Sequence, residues 1–191
     1  MDFARSSDLP ATFELSNGQT VTVRMIQPGD APLLVEMFQH LSERTRRLRY
    51  HAYTADLPLE KAVMLSDLDP SLQAALVAVV DGDAGEHIVG VTRLARASAG
   101  AVDAETAVVV RDDFQGLGLG THLLTLLLSI ARSMGIESLF GWVMSENRYM
   151  LQLFKRVNLP IQLEYHSGDV LVVLSLTTPP DLAIQAERAE Q

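Results

Sequence analysis

Cysteine is missing from the 191-residue sequence. Without thiols the chain has no disulfides, no thiolate metal ligands and no cysteine nucleophile. This absence is compatible with a reducing compartment. The five histidines also lack the spacing of a metal site, so we expect no bound metal.

Basic residues are too few to balance the acidic ones. The chain has 15 lysines and arginines against 24 aspartates and glutamates, a formal net charge of -9. Nucleic-acid binding needs a basic face for the phosphates, so we expect no nucleic-acid partner. An acidic protein can still attract cationic substrates through its field.

A long uninterrupted apolar run is missing as well. The longest apolar stretch, near 117–131, is broken by Gly118, Gly120, Thr121 and His122. It is shorter than the roughly 20 apolar residues that a membrane helix needs. The opening MDFARSSDLP has no positively charged region followed by an apolar one, so no signal peptide is expected. We therefore expect a cytoplasmic protein with no membrane partner.

Hydrophobic residues, by contrast, make up 48% of the chain, which is enough for a sizeable core. The length fits one compact domain. We expect this domain to span 20–176. An N-terminal segment with a short strand precedes it at 1–19, and a flexible tail follows at 177–191.

Hydrophobic periodicity and turn residues predict the order of the elements. Asn17 and Gly18 mark a tight turn between two strands. Two helices, three strands, a helix, a strand, a helix and two strands follow. The three consecutive strands suggest an antiparallel meander, and the unit around 104–144 suggests a parallel pair. We therefore predict an α/β fold, a mixed central sheet with helices on both faces, in which Trp142 packs in a core strand.

The stretch VVVRDDFQGLGLGTHLL places three alternate glycines between a β-branched run and a leucine-rich helix. Glycine permits positive φ and close approach of a ligand, and the first turn of a helix carries unpaired N–H groups. Together they favour a phosphate or pyrophosphate. A glycine-rich turn without a ligand is the alternative. The residues expected to hold the phosphates are Gln115, Gly116, Leu117, Gly118, Leu119, Gly120 and Thr121.

Two familiar phosphate loops do not fit this stretch. A P-loop needs Gly-Lys-Ser/Thr, but no lysine lies between Arg111 and Lys155. The dinucleotide fingerprint needs a third glycine at position 121, which is threonine.

The pattern Gln115-x-x-Gly118-x-Gly120 resembles the Q/R-x-x-G-x-G/A signature of the GNAT superfamily of acyl-CoA N-acyltransferases. The element order over 20–176 is similar too. The stretches LSERTRRLRYH and AETAVVVRDDFQGLGLG look like segments of bacterial protein-lysine acetyltransferases. The resemblance implies a GNAT fold with acetyl-CoA as co-substrate. It implies an amine acceptor, in first place a protein lysine, with a small-molecule amine as the alternative.

Glu105 is the candidate general base. It lies in the apolar strand ETAVVV, where burial would raise its pKa toward a range useful for deprotonating an amine. The resemblance also implies a catalytic glutamate at this position. The alternative is that Glu105 lies on an exposed edge or pairs with an arginine such as Arg93.

The resemblance assigns the rest of the site to the backbone and one amide. The main chain of Val108, Val109 and Val110 is implied to bond the acyl carbonyl and the pantetheine arm, which requires a bulge or separation from the strand at 136–144. The stretch VMSENRYMLQLFKRVNLP is similar to the family's N-xx-M-xx-L segment, so Asn147 is implied to contact the same arm. Its alternative role is to bond the backbone at a helix start.

One position departs from the family pattern. Phe154 stands where many GNAT enzymes have a tyrosine that protonates the departing thiolate. The thiolate then leaves unassisted or another group serves. With no cysteine available, direct attack in a ternary complex is expected. A non-catalytic acyl-CoA sensor is a further alternative, and both a monomer and a homodimer remain open.

Overall fold

The computed structural model describes residues 9–51, 54–83 and 85–177. These residues form one eight-stranded sheet and five α-helices. The strands are β1 (Ala11–Glu14), β2 (Thr20–Met25), β3 (Gln73–Gly82), β4 (Gly85–Ala95), β5 (Asp103–Val110), β6 (Ser138–Met144), β7 (Ile161–His166) and β8 (Asp169–Ser175). The helices are α1 (Ala31–Gln39), α2 (Glu43–Tyr50), α3 (Leu59–Ser66), α4 (Leu119–Ser133) and α5 (Arg148–Arg156).

The strand order across the sheet is β1-β2-β3-β4-β5-β6-β8-β7. Every neighbouring pair is antiparallel except β5 and β6, which run parallel. The predicted α/β class, the β3–β4–β5 meander and the parallel pair are therefore confirmed. The parallel pair arises because α4 carries the chain across one face of the sheet between β5 and β6.

Helices cover both faces of the sheet. Helix α4 packs on β3, β4 and β5, and α5 packs beside it on β8. Their leucines, with Phe154 and Val157, close the larger core. On the opposite face α1 packs on β4 and on α3, which closes a second core around Phe38 and Val77.

Helix α4 follows the apolar pattern that predicts it over 117–134. It begins two residues later, at Leu119, and ends at Ser133. Gly135 takes φ of +72°, a left-handed conformation that glycine adopts without strain and that commonly ends a helix. The helix is too short and too interrupted to cross a membrane, as is every other helix of the described residues.

The basic segment after α1 forms a helix that hydrophobic periodicity does not reveal. Helix α2 begins at Glu43, and the Ser42 hydroxyl accepts a hydrogen bond from the Thr45 N–H at 3.1 Å. His51, at φ +54°, ends it. The capping hydrogen bond of Ser42, and not an apolar stripe, therefore marks the start of this helix.

Trp142 is a second difference from the sequence prediction. Its side chain is 46% exposed. Leu139 and Val143 of the same strand are buried, because alternate residues of β6 point to opposite faces. Of the expected tail at 177–191, only Thr177 lies within the described residues.

Candidate active site

The two parallel strands separate where the site is expected. Residues 103–105 of β5 pair with 138–140 of β6, and the pairing ends at Glu105 and Phe140. A Cβ at the next β6 residue, Gly141, would lie 3.0 Å from the Thr106 carbonyl oxygen. The strands are therefore still close at Thr106 and Gly141, and the separation that the sequence analysis requires begins beyond them, as a gap between 107–110 and 142–144 that no strand pairing bridges.

Main-chain groups of β5 face this gap. The Arg111 N–H donates to the Val89 carbonyl at 2.9 Å, so the odd-numbered residues of this half of β5 bond to β4. By the same alternation Val108 and Val110 direct their main-chain groups toward the gap. The main chain of Val109 is engaged with β4. Two of the three valines therefore direct main-chain groups away from β4, and their contact with acetyl-CoA stays a prediction.

The glycines of the loop before α4 differ in what they provide. Gly116 and Gly118 take φ of +75° and +95°, conformations that side chains rarely adopt. A Cβ at Gly116 would meet no atom within 4 Å, and one at Gly118 only the His122 Nε2 at 4.0 Å. Gly120 has no such conformation, and a Cβ there would touch Leu153 at 3.5 Å, an ordinary contact.

Main-chain N–H groups of the loop are free to bind an anion. Within the described residues, none of the five consecutive N–H groups of 116–120 donates to a protein acceptor. The Thr121 and His122 N–H groups donate to the Gly118 carbonyl at 3.0 and 3.2 Å, and the Gln115 N–H to the Asp112 carbonyl at 3.3 Å. Five free donors, open space at two glycines and the positive end of α4 fit a diphosphate group.

Gln115 contributes its side chain to the loop. Its amide group donates to the Val110 carbonyl at 2.9 Å and to the Thr45 hydroxyl at 3.3 Å. Gln115 therefore joins the end of β5 to α2 and the glycine loop.

Asp112 completes this junction. Its carboxylate accepts hydrogen bonds from the Ser42 N–H at 2.8 Å, the Ser42 hydroxyl at 2.7 Å and the Thr45 hydroxyl at 2.7 Å. Partial burial opposes ionisation, but the hydrogen bonds outweigh it and hold the pKa of Asp112 below its usual value. The start of α2 is thereby fixed against the loop.

Glu105 is the last residue of β5 that pairs with β6. Its side chain lies on the face of the sheet that α1, α2 and α3 cover. Its side chain is exposed, so the expected burial among β-branched residues is wrong and the alternative, an exposed position, is found. The reason is the strand's alternation, in which Ala104 and Thr106 take the buried positions. Within the described residues no salt bridge joins Glu105 to Arg93, whose guanidinium donates to the Leu65 carbonyl at 2.8 Å, and the arginine on which Glu105 acts electrostatically is Arg49.

Asn147 occupies the start of α5. Its side-chain oxygen accepts a hydrogen bond from the Met150 N–H at 3.2 Å, which is the helix-capping role. Phe154 is 2% exposed in the core, and its ring lies under Gly141. No hydroxyl is therefore supplied at that position, and the nearby Tyr149 is 76% exposed.

A cavity on the α1–α3 side of the sheet brings together residues that the sequence analysis does not connect with one another. Its volume is about 230 Å³. Arg49 and Tyr50 of α2, Lys61 of α3 and Arg93 of β4 line it. Their proximity was missed because they come from separate elements. The serine cap of α2 is the signal that could have shown Arg49 on a folded helix.

Helix α2 connects this cavity to the gap. It packs against both β5 and β6. A ring nitrogen of His51, at its end, lies 3.2 Å from the Trp142 carbonyl of β6. Val109, whose strand forms one side of the gap, also lines the cavity. The cavity and the glycine loop therefore both lie next to β5.

Comparison with known proteins identifies the family of the chain. A model of the acetyltransferase (GNAT) family matches residues 35–158, more than half of the chain. A curated acetyltransferase of Pseudomonas aeruginosa is 30% identical over 139 residues, which cover 73% of this chain and 74% of that protein.

Solved structures show the same architecture. The GNAT domain of S. lividans PAT superposes with a TM-score of 0.79 at 26% identity, covering 86% of this chain and 96% of that one. The Salmonella typhimurium protein yncA, solved with its cofactor acetyl-CoA, superposes with a TM-score of 0.63 at 18% identity, covering 84% and 96%. The chain belongs to the GNAT family and is an acetyl-CoA-dependent N-acetyltransferase.

Proposed function

We propose that this chain acetylates an amine by direct attack, with Glu105 as the general base. The observation that carries the proposal is one juxtaposition. Five free N–H groups at 116–120 lie at one end of the gap between β5 and β6, and Glu105 lies at the other end, where the strands part.

The loop and the gap divide the binding of acetyl-CoA between them. The N–H groups of 116–120 hold the diphosphate, and the main chain of Val108 and Val110 offers hydrogen bonds to the pantetheine arm and the acyl carbonyl. When bound, acetyl-CoA supplies an acetyl thioester, whose carbonyl carbon forms the new C–N bond as the C–S bond breaks.

Glu105 accepts the proton that the amine must lose. The side chain is exposed, so a water molecule can connect it to an amine that enters from the α1–α3 face. Phe154 supplies no proton to the leaving group. A thiol has a reference pKa of about 8.5, so a thiolate is an acceptable leaving group near neutral pH.

The acceptor amine is the finer part of the proposal. The protein lysine implied by the sequence resemblance stays a prediction. A small-molecule amine has a specific observation in its favour, because the cavity beside Glu105 measures about 230 Å³ and is lined on most sides by apolar groups. That volume is below the roughly 300–1,000 Å³ of pockets for drug-sized ligands, so it suits only a compact molecule.

The first test is calorimetric titration of acetyl-CoA, with NAD and ATP as controls. Gly118→Glu should abolish binding, since it adds a negative charge beside the free N–H groups. Gly18→Glu is the matched control, because Gly18 has a similar φ of +83° and open space but lies in the β1–β2 turn. Equal binding by wild type and Gly118→Glu would overturn the assignment of the loop.

The sensor alternative has its own test. A wild-type protein that binds acetyl-CoA but acetylates no amine of a broad panel, including lysine peptides, would favour a non-catalytic acyl-CoA-binding domain.

A further inference from the structure

The cavity on the α1–α3 side of the sheet, beside which the acceptor amine is proposed to enter, has only cationic charged groups. Among its lining residues, Arg49, Lys61 and Arg93 carry positive charge, and none carries a carboxylate. The remaining surface is chiefly apolar, from residues such as Leu34, Phe38, Leu57, Val91 and Val109. This concentration of cations contrasts with the net charge of -9 for the whole chain.

Two of these cations, Arg49 and Arg93, lie close together, and Glu105 is the carboxylate that acts electrostatically on Arg49. Within the described residues, neither Arg49 nor Arg93 forms a salt bridge, and both side chains are half-buried. Arg49 lies against the ring of Tyr50, its guanidinium carbon 5.1 Å from the ring centroid. Other arginines of the chain do have carboxylate partners, as Arg24 does with Asp30 at 2.8 Å.

The pair is electrostatically unfavourable without an anion. Burial lowers the pKa of Arg49, and Tyr50 and Glu105 oppose this effect only in part. Burial also lowers the pKa of Arg93, and repulsion from Arg49 adds to it. Half-buried like charges are normally relieved by a group of opposite charge.

The cationic cavity and Glu105 share one face of the sheet. Arg93 pairs in register with Ala107 of β5, two residues beyond Glu105, and alternate residues of a strand point to the same side. A molecule whose anionic group reaches the arginines can therefore present an amine toward Glu105 and the gap.

We propose that the acceptor is a small amine that carries a carboxylate on an apolar body, and that Arg49 and Arg93 bind this carboxylate. The inference rests on the proposed function and deepens it. Guanidinium groups bind carboxylates through charge-assisted, often paired hydrogen bonds. A polycationic acceptor is disfavoured here, since its charges would meet the three cations that line the cavity.

The test compares acceptors that differ only in the carboxylate. The panel contains L-leucine, L-methionine and L-phenylalanine, the amide of each, the amine left by decarboxylation of each, and a lysine peptide. Thiol release from acetyl-CoA is measured. We expect at least one amino acid to exceed its amide and its amine in kcat/KM by about tenfold or more, the scale of a hydrogen bond between charged groups.

Matched variants assign the effect to the cavity. Arg49→Gln should raise KM for that amino acid about tenfold to hundredfold and leave the affinity for acetyl-CoA unchanged. Arg44→Gln, an exposed arginine of the same helix that does not line the cavity, is the control. Arg93→Lys keeps the charge but loses the paired geometry, and its melting temperature shows whether the bond to Leu65 matters for folding.

Binding of a carboxylate to the cavity can also be measured without turnover. 4-Methylpentanoate, which is leucine without its amine, should raise the melting temperature of wild type and not of Arg49→Gln. Amides or amines that equal the acids, a lysine peptide that exceeds them, or no turnover of any carboxylate would each overturn this inference. If acetyl-CoA itself does not bind, the proposed function fails as well, so the two failures are distinguishable.

Discussion

The two ends of the gap are proposed to bind anionic groups by different means. The cofactor end is one contiguous loop, 115–121, whose donors are main-chain N–H groups and which contains no charged side chain. The acceptor end is a cavity whose charges come from α2, α3 and β4. A loop that binds through its backbone leaves a local signature in the sequence. A cavity that binds through side chains from distant elements leaves none.

The same contrast predicts different responses to substitution. At the cofactor end a side chain matters mainly where it fills the space of the ligand or forces the backbone out of a left-handed conformation. At the acceptor end each of two charged side chains, Arg49 and Arg93, should carry much of the recognition of the carboxylate. Substitutions at Glu105, Gly141, Asp112 and Gly120 test this division, and the largest effect is the loss of kcat expected at Glu105.

Glu105→Gln tests the boundary between the two ends. Removing the general base should lower kcat about 100- to 10,000-fold, the usual contribution of a positioned base. The dissociation constant for acetyl-CoA should stay unchanged, because Glu105 is not part of the loop. Steady-state kinetics and calorimetry on one preparation measure both quantities.

The control for this change is Glu164→Gln, another exposed carboxylate on a strand of the same sheet. It should retain wild-type kcat. A Glu105→Gln enzyme with wild-type kcat would place the base elsewhere. Equal losses in kcat and in acetyl-CoA affinity would mean that Glu105 belongs to the cofactor end instead.

Gly141→Ala tests whether the gap has a fixed width. A Cβ there would lie 3.0 Å from the Thr106 carbonyl oxygen, and backbone cannot move away as a flexible side chain can. We expect a loss of about 1–3 kcal/mol in the free energy of unfolding, typical of overpacking. Urea denaturation measures it. Gly29→Ala, where a Cβ meets nothing within 4 Å, should be close to neutral, and equal stability of the two variants would contradict the prediction.

Much of the fold and one half of the site could be predicted from the sequence. Strand alternation, Asn17–Gly18 and the leucines of α4 are local signals. Gly116 and Gly118 could be assigned to a phosphate loop because their requirement for positive φ is also local. Exposure of Glu105 could not be predicted, since a strand's apolar neighbours do not reveal which face the other layer covers. Arg49 and Arg93 meet only through tertiary packing.

Asp112→Asn tests the junction that joins the two ends. Three hydrogen bonds from Ser42 and Thr45 favour the ionised carboxylate, so its pKa in the folded state lies below the unfolded value. The stabilisation is therefore present above the unfolded pKa of about 3.9 and is lost as pH falls through the folded pKa. Allowing for solvent exposure, we expect a cost of about 1 kcal/mol near neutral pH.

Urea denaturation at a series of pH values measures this dependence. The difference in the free energy of unfolding between wild type and Asp112→Asn should narrow below about pH 4, where the unfolded state begins to bind the proton at Asp112. Asp83→Asn, an exposed carboxylate in the β3–β4 turn, is the control and should show no such narrowing. A stability difference between wild type and Asp112→Asn that is independent of pH would remove the carboxylate's charge from the explanation.

Gly120→Ala gives the smallest effect on stability and the sharpest distinction between fold and function. This glycine lies in the first turn of α4 with no positive φ, and a Cβ would touch Leu153 at 3.5 Å, an ordinary contact. Folding alone therefore does not require glycine here. Alanine should raise the free energy of unfolding by about 0.5–1 kcal/mol through its higher helix propensity. If a diphosphate approaches this backbone closely, the same methyl group should weaken acetyl-CoA binding about tenfold or more.

Thermal unfolding and calorimetric titration of one preparation decide the matter. Gly116→Ala is the matched variant, because its φ of +75° makes any side chain strained, so it should lose stability as well as affinity. A Gly120→Ala protein that is more stable and binds acetyl-CoA as wild type does would show that neither the fold nor the ligand requires glycine at position 120. A more stable protein with weaker binding would show that the ligand, and not the fold, accounts for glycine at this position.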